Sequence, residues 1–183
     1  MPMTSAHRAM TWMMVFVVLW ELVDAIGITL YDDYSLYQVV WMRYAVHLAF
    51  MVATFGRRGW APLLGSKRKT MQIARSMMML VMPAAFIEST RMGYSLDAIM
   101  SMFWLCPLFT LMTARWLLGE RVSPAIWAAT AVGYAGALMV YGLPRFEAEE
   151  LLLPGAMGMS LALYLTMTRV LVDEPTQSSL FYS

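Results

Sequence analysis

Residues 12–30 read WMMVFVVLWELVDAIGITL, and residues 36–55 read LYQVVWMRYAVHLAFMVATF. Both stretches are close to the roughly 20 residues that cross a hydrocarbon core. Both are overwhelmingly apolar, yet ionisable residues interrupt them: Glu21 and Asp24 in the first, Arg43 and His47 in the second. An ionisable side chain is expensive inside a membrane span and faces a bundle interior or a water-filled cavity. The pair of stretches therefore sets the fold class, and its four charges are the first pointer to function.

The same pattern continues along the chain. Apolar segments run at about Thr11–Leu30, Leu36–Phe55, Gln72–Thr90, Leu96–Leu118, Pro124–Leu143 and Leu151–Val172, each near the length of a span. The expected fold class is all-α: a polytopic helical membrane protein with about six transmembrane helices. The third segment is the weakest, because Arg75 and Pro83 interrupt it. At the N-terminus, Arg8 precedes an apolar run that resembles a leader. The run continues past Glu21 to Leu30 without a small-x-small site close behind it, so it reads as the first span.

Composition agrees. The chain has 183 residues, 60% hydrophobic and 14% charged, with a mean hydropathy of +0.59. Soluble domains are about 45–50% apolar and roughly 25% charged. A net charge of +1 argues against a polyanionic partner. The basic residues lie in short loops without interleaved stacking aromatics, so no nucleic-acid face is expected. Cys106 is the single cysteine, which excludes an intrachain disulfide. It lies in an apolar run and reads as a small buried hydrophobe. His7 and His47 fall in different segments, and no Cys or His cluster has metal-ligand spacing. No cofactor and no metal are expected. The 20 methionines, Met77, Met78, Met79 and Met82 among them, permit a copper(I) thioether path. Flexible gap-filling in a helical bundle explains them more simply.

The breaks carry helix punctuation. Gly119 is placed to cap the fourth segment. Ser123-Pro124 reads as N-cap and first residue of the fifth helix, and Pro154 does similar work in the sixth. Lysine and arginine placement orients the whole. Arg8, Arg57, Arg58, Lys67, Arg68, Lys69, Arg75, Arg115, Arg121 and Arg169 fall on one side; Arg91 and Arg145 fall on the other. The first side is expected to be cytoplasmic, with the N-terminus inside. The expected location is the inner (plasma) membrane, multi-pass. The loop Gly56–Met71, with Trp60, Pro62, Leu63 and Leu64 among its basic residues, is expected to lie on the inner membrane surface. Small residues repeat every fourth position at Ala125, Ala129, Gly133 and Ala137, and again at Gly158, Ala162 and Thr166. Such faces allow close backbone approach, and packing within the chain is preferred over dimerisation.

Residues 102–127 read MFWLCPLFTLMTARWLLGERVSPAIW, followed by a glycine-rich helix ending at Gly136-Ala137-Leu138-Met139-Val140. With Pro107 inside a span, Leu117-Leu118-Gly119-Glu120-Arg121, Trp127, Gly133 and Gly136, the stretch resembles the EamA-like drug/metabolite transporter superfamily. Arg43 early in the second span and the basic inner loop fit the resemblance, which covers essentially the whole chain. It implies two five-helix repeats, the second inverted, with a binding site near the midplane between them. Residues 1–143 then correspond to one five-helix transmembrane repeat. Residues 144–183 correspond to an outer loop and the first helix of a second, incomplete repeat. The expectation is a C-terminally truncated member.

Depth pairs the four charges. At about 1.5 Å per residue, Asp24 and Arg43 lie roughly 9 and 10 Å from the outer ends of their helices, and Glu21 and His47 roughly 14 and 16 Å. Spacings of three and four keep each pair along one helix face. An outer Asp24–Arg43 pair and an inner Glu21–His47 pair are expected. The Arg43 fork suits Asp24 or a substrate carboxylate, and a structural role for it is slightly favoured. Glu21 and His47 suit proton coupling, with a polar lock between helices as the alternative. Pro107 frees the carbonyl of Phe103 and kinks the fourth segment, as hinge, cavity lining or static bend. Trp104 is a further candidate along the pathway, and Glu88 is placed to pair with Arg91.

The functional expectation is a secondary transporter, exporter or exchanger, of small polar metabolites such as amino acids. Its partners are then a small-molecule substrate and the lipid bilayer. The alternative is a half-transporter or fragment that is inactive without a homodimer partner or a missing second repeat. A remote alternative is an intramembrane hydrolase built on Gly158-Met159-Ser160 and His47. A nucleophile needs a base within hydrogen-bond reach, and Ser160 is better explained as a small residue at a helix contact.

Overall fold

The computed structural model describes residues 5–30, 33–56, 59–143 and 151–183; the side chains of residues 5, 6, 9, 20, 21, 24, 27, 28, 36, 61 and 62 lie outside the description. Among the described residues helix is the only regular element. In chain order the helices are α1 (Ser5–Leu30), α2 (Leu36–Phe55), α3 (Ala61–Leu64), α4 (Lys69–Arg91), α5 (Leu96–Phe103), α6 (Cys106–Leu117), α7 (Pro124–Tyr141), α8 (Leu152–Val170) and α9 (Thr176–Phe181). The chain divides into two compact units, Met1–Ala49 and Phe50–Ser183.

The first unit holds α1 and most of α2. The turn between them is tied by the Tyr34 amide donating to the Leu30 carbonyl (2.9 Å). A capping box then starts α2. The Ser35 amide donates to Gln38 Oε1 (2.9 Å), and the Gln38 amide donates to Ser35 Oγ (3.4 Å). Both helices turn large apolar side chains outward: Trp12 is 72% exposed and Trp41 68%. Apolar display on this scale suits hydrocarbon rather than water.

The second unit is built around α8, which packs on α4, α5 and α6. Its buried positions are Pro154, Met157, Gly158, Ser160, Ala162 and Thr166, so the small-residue face is the packed face. Ala85 of α4, Ile99 of α5 and Met157 of α8 form the apolar core, with Met82, Phe86, Tyr94, Met100 and Phe103 against it. α7 touches α5 and α6 but buries none of its residues. A Cβ added at Gly133 or Gly136 would meet nothing within 4 Å. Among the described residues of the second unit, the packing expected of the α7 stripe is not seen.

Three of the expected spans are long and apolar enough to cross a membrane among the described residues: Lys69–Arg91, Leu96–Leu117 (α5 with α6) and Pro124–Tyr141. α8 carries Ser160, Thr166, Thr168 and Arg169, which lower its apolarity. Two of them, Ser160 and Thr166, are buried in the unit. α4 runs unbroken through Arg75 and Pro83. It closes in a Schellman turn at Gly93 (φ 84°), where Tyr94 N–H donates to the Ser89 carbonyl (3.1 Å) and Gly93 N–H to that of Thr90 (3.1 Å). Gly119 takes a positive φ of 67°, and the Ser123 hydroxyl caps α7 by accepting from the Ile126 amide (3.4 Å), both as expected.

The basic loop differs from expectation. It is not only a surface anchor: Leu63 of α3 is fully buried, and α3 packs on α9. Trp60 and Leu64 stay exposed.

Candidate functional site

Arg68, Gln72, Arg75 and Ser76 recur at spacings of four, three and one along the start of α4. In a helix, positions so spaced share one face. That face is turned toward the end of α8 and toward α9. Arg68 Nη1 donates to the Val170 carbonyl (3.1 Å). Gln72 Nε2 donates to Ser179 Oγ (2.9 Å). Arg75 Nη1 donates to Thr168 Oγ1 (3.3 Å), and Nη2 to Ser183 Oγ (2.7 Å) and to the Ser179 carbonyl. Ser76 Oγ bonds the Tyr182 carbonyl. The Tyr164 ring lies under the Arg75 guanidinium, 5.2 Å from its centroid, and the Tyr164 hydroxyl donates to Ser183 Oγ (3.3 Å).

Burial makes this seam costly. Arg75 is 2% exposed, and Gln72 and Ser178 are fully buried. Removing a guanidinium from water costs several kcal/mol even after relaxation. The described partners of Arg75 are neutral oxygens and an aromatic face. Charge-assisted hydrogen bonds contribute about 1.5–3 kcal/mol each, and a desolvated cation–π contact about 2. These offset the desolvation without supplying a counter-charge. Among the described residues, Arg75 Nε, Gln72 Oε1 and Ser178 Oγ are buried without a hydrogen-bond partner.

A second polar seam crosses the centre of the unit. Thr113 of α6 and Thr166 of α8 join hydroxyls at 2.7 Å, both buried. One helical turn or so away, Pro107 removes the amide that would bond the Phe103 carbonyl. The chain turns at Trp104-Leu105, between α5 and α6. The freed carbonyl faces α8: a Cβ on Gly158 would lie 3.2 Å from Phe103 O and 3.5 Å from Met102 O. A Cβ there would be held tighter than ordinary contact, so glycine eases this approach and the break is covered by a helix rather than left open. Trp104 is 40% exposed beside it, edge-on to Phe103 at 5.9 Å. An open apolar groove of about 410 Å³ lies at the N-terminal end of α8, lined by Phe109, Leu151, Leu152, Gly155, Ala156 and Met159.

Of the residues the sequence singled out, Trp104 and Pro107 fall together at the α5–α6 break. Arg43 (exposed) and His47 (half-buried) lie on α2, one turn apart. Glu21 and Asp24 lie on α1, and their side chains, with the expected Asp24–Arg43 and Glu21–His47 pairs, fall outside the described residues. Glu88 and Arg91 pair at 2.9 Å as expected. Glu120 reaches Arg169 of α8 at 2.9 Å. Ser160 donates to the Met157 carbonyl of its own helix (2.9 Å), which is a packing role. Sequence reasoning missed Arg75. It counted there as an interruption and a topology charge, although the test applied to Arg43 also selects it.

No family model matches the chain, and no solved structure matches it. A stretch of 34 residues is 56% identical to part of a protein described as a riboflavin transporter from Rhizobium johnstonii. The stretch is 19% of this chain and spans 11% of that protein's length. The long apolar helices and this partial likeness together point to a membrane protein.

Proposed function

We propose that the chain is a secondary transporter, of the EamA-like drug/metabolite type, that moves a small polar solute across the plasma membrane. In this reading six spans cross the bilayer with the N-terminus cytoplasmic. The observation that carries it is a buried arginine, Arg75, within α4, a helix long and apolar enough to span a membrane. Ionisable groups so placed mark solute or ion pathways. The partial likeness to a riboflavin transporter supports the same class and makes riboflavin the first solute to test. Glu21, Asp24, Arg43 and His47 are the proposed proton or substrate groups of the first two spans, with Trp104 and Pro107 at the fourth.

The test is counterflow in proteoliposomes with labelled riboflavin and a panel of amino acids. Uptake above protein-free liposomes is expected for at least one solute, and Glu21→Gln is expected to abolish its stimulation by a pH gradient. Transport of no solute in the panel would count against the carrier reading. Transport with unchanged gradient dependence in Glu21→Gln would remove the proton role alone.

A further inference from the structure

The Arg75 seam is a buried cation whose described partners are all neutral. Its two Nη groups hold the Ser179 carbonyl, the Ser183 hydroxyl and the Thr168 hydroxyl, while Nε has no partner. A guanidinium presents five N–H donors in a fork that matches an oxyanion bidentately. The positions an oxyanion would take on that fork are filled by the main-chain and hydroxyl oxygens of residues 179 and 183. We propose that the seam between α4, α8 and α9 binds an oxyanion group, a phosphate or a carboxylate, on Arg75, and that binding displaces residues 176–183 from it.

The neighbouring groups suit that ligand. Among the described residues the buried Ser178 hydroxyl has no hydrogen-bond partner, a cost that moving residues 176–183 relieves. Gln72 bonds Ser179 Oγ through one end of its amide while the other end has no partner. Because Ser179 can donate as readily as it accepts, the amide can turn end for end and offer its NH2 group. Arg68 lies on the same face of α4 one and a half to two turns earlier, with Lys67 and Lys69 beside it in sequence. This basic approach raises the local concentration of anions. Glu174 opposes it but is engaged by the Lys67 amide (2.9 Å). Arg75 lies about 9 Å from the basic end of α4, within reach of both a soluble anion and a lipid headgroup phosphate.

The displaced segment is held by side-chain bonds to α4 and by the contact of α9 with α3. A bidentate oxyanion on Arg75 replaces the guanidinium's bonds to residues 179 and 183 with bonds in which both donor and acceptor are charged. The inference does not depend on solute flux, and binding tests it directly.

The experiment uses the full chain in dodecyl maltoside micelles, which carry no phosphate. Inorganic phosphate, succinate and phosphatidylglycerol are added separately. Thermal unfolding and amide hydrogen exchange over residues 176–183 are read. At least one of the three is expected to raise the midpoint by several degrees and to speed exchange of residues 176–183 tenfold or more. A response to phosphate or succinate identifies a soluble oxyanion, and a response to phosphatidylglycerol alone identifies a lipid headgroup. Arg75→Gln is expected to lose both responses, and Arg75→Lys to need at least tenfold more ligand. Should Arg75→Gln fail to fold, Arg75→Lys decides the matter. No response to any of the three, or a wild-type response in the Arg75 variants, overturns the proposal.

Discussion

α7 and α8 share a sequence device and differ in what they do with it. Both carry small residues every fourth position. On α8 the stripe is the contact face: Gly158 admits the carbonyls of Phe103 and Met102, Ala162 is fully buried, and Thr166 bonds Thr113. On α7 the stripe is open, with no buried residue and no atom within 4 Å of a Cβ added at Gly133. The difference teaches what small spacing specifies. It lowers the barrier to close approach, but it needs polar atoms opposite that gain from the approach. α8 meets a carbonyl freed by Pro107 and a threonine hydroxyl. α7 meets neither.

The largest effect should come from the glycines. A leucine at Gly158 must displace two carbonyls and the Phe109 ring, so Gly158→Leu should lose about 3 kcal/mol or more. Gly133→Leu should stay within about 0.5 kcal/mol. Denaturant unfolding in micelles measures both, and equal losses would break the distinction.

Next comes the seam that α7 lacks. Arg75→Ala removes charge-assisted bonds to residues 168, 179 and 183 and should cost about 2 kcal/mol. The same unfolding assay reads it, together with faster proteolysis after residue 175. Wild-type protection of that segment would show that Arg75 does not hold it.

A smaller effect sharpens the threonine contact. The Thr113→Val, Thr166→Val double-mutant cycle should give a coupling of about 0.6–1.7 kcal/mol, the range found for hydrogen bonds between membrane helices. Thr130 of α7 bonds the Ile126 carbonyl of its own helix (2.9 Å). Combined with Thr113→Val, Thr130→Val should show no coupling. The smallest effect belongs to Glu120, whose bridge to Arg169 is partly exposed. Glu120→Gln should cost about 0–1 kcal/mol, and high salt should erase the difference.

Local punctuation was readable before the structure. Gly119, Ser123-Pro124 and the Glu88–Arg91 pair follow from residues a few positions apart. The α8 stripe was also readable as a contact. For the α7 stripe, spacing records permission to pack and not the presence of a neighbour. Arg75 was legible in principle: Arg68, Gln72, Arg75 and Ser76 draw a polar line on an apolar helix. Its meaning was not, because its partners lie 93 to 108 residues away, beyond any local pattern. Similarly, Leu63 looked like a surface anchor because nothing nearby announces α9.

In the second unit α8 is packed while α7 buries none of its described residues, so a lipid-facing α7 is expected. A nitroxide at Ala129→Cys, in a Cys106→Ala background reconstituted in lipid, tests it most directly. Collisions with oxygen and with a water-soluble nickel chelate are measured at that one site. Frequent oxygen collisions and few with nickel are expected, the signature of a lipid-facing position. Frequent nickel collisions would place α7 in water, and few collisions of either kind would place it against protein; both results would contradict a lipid-facing α7.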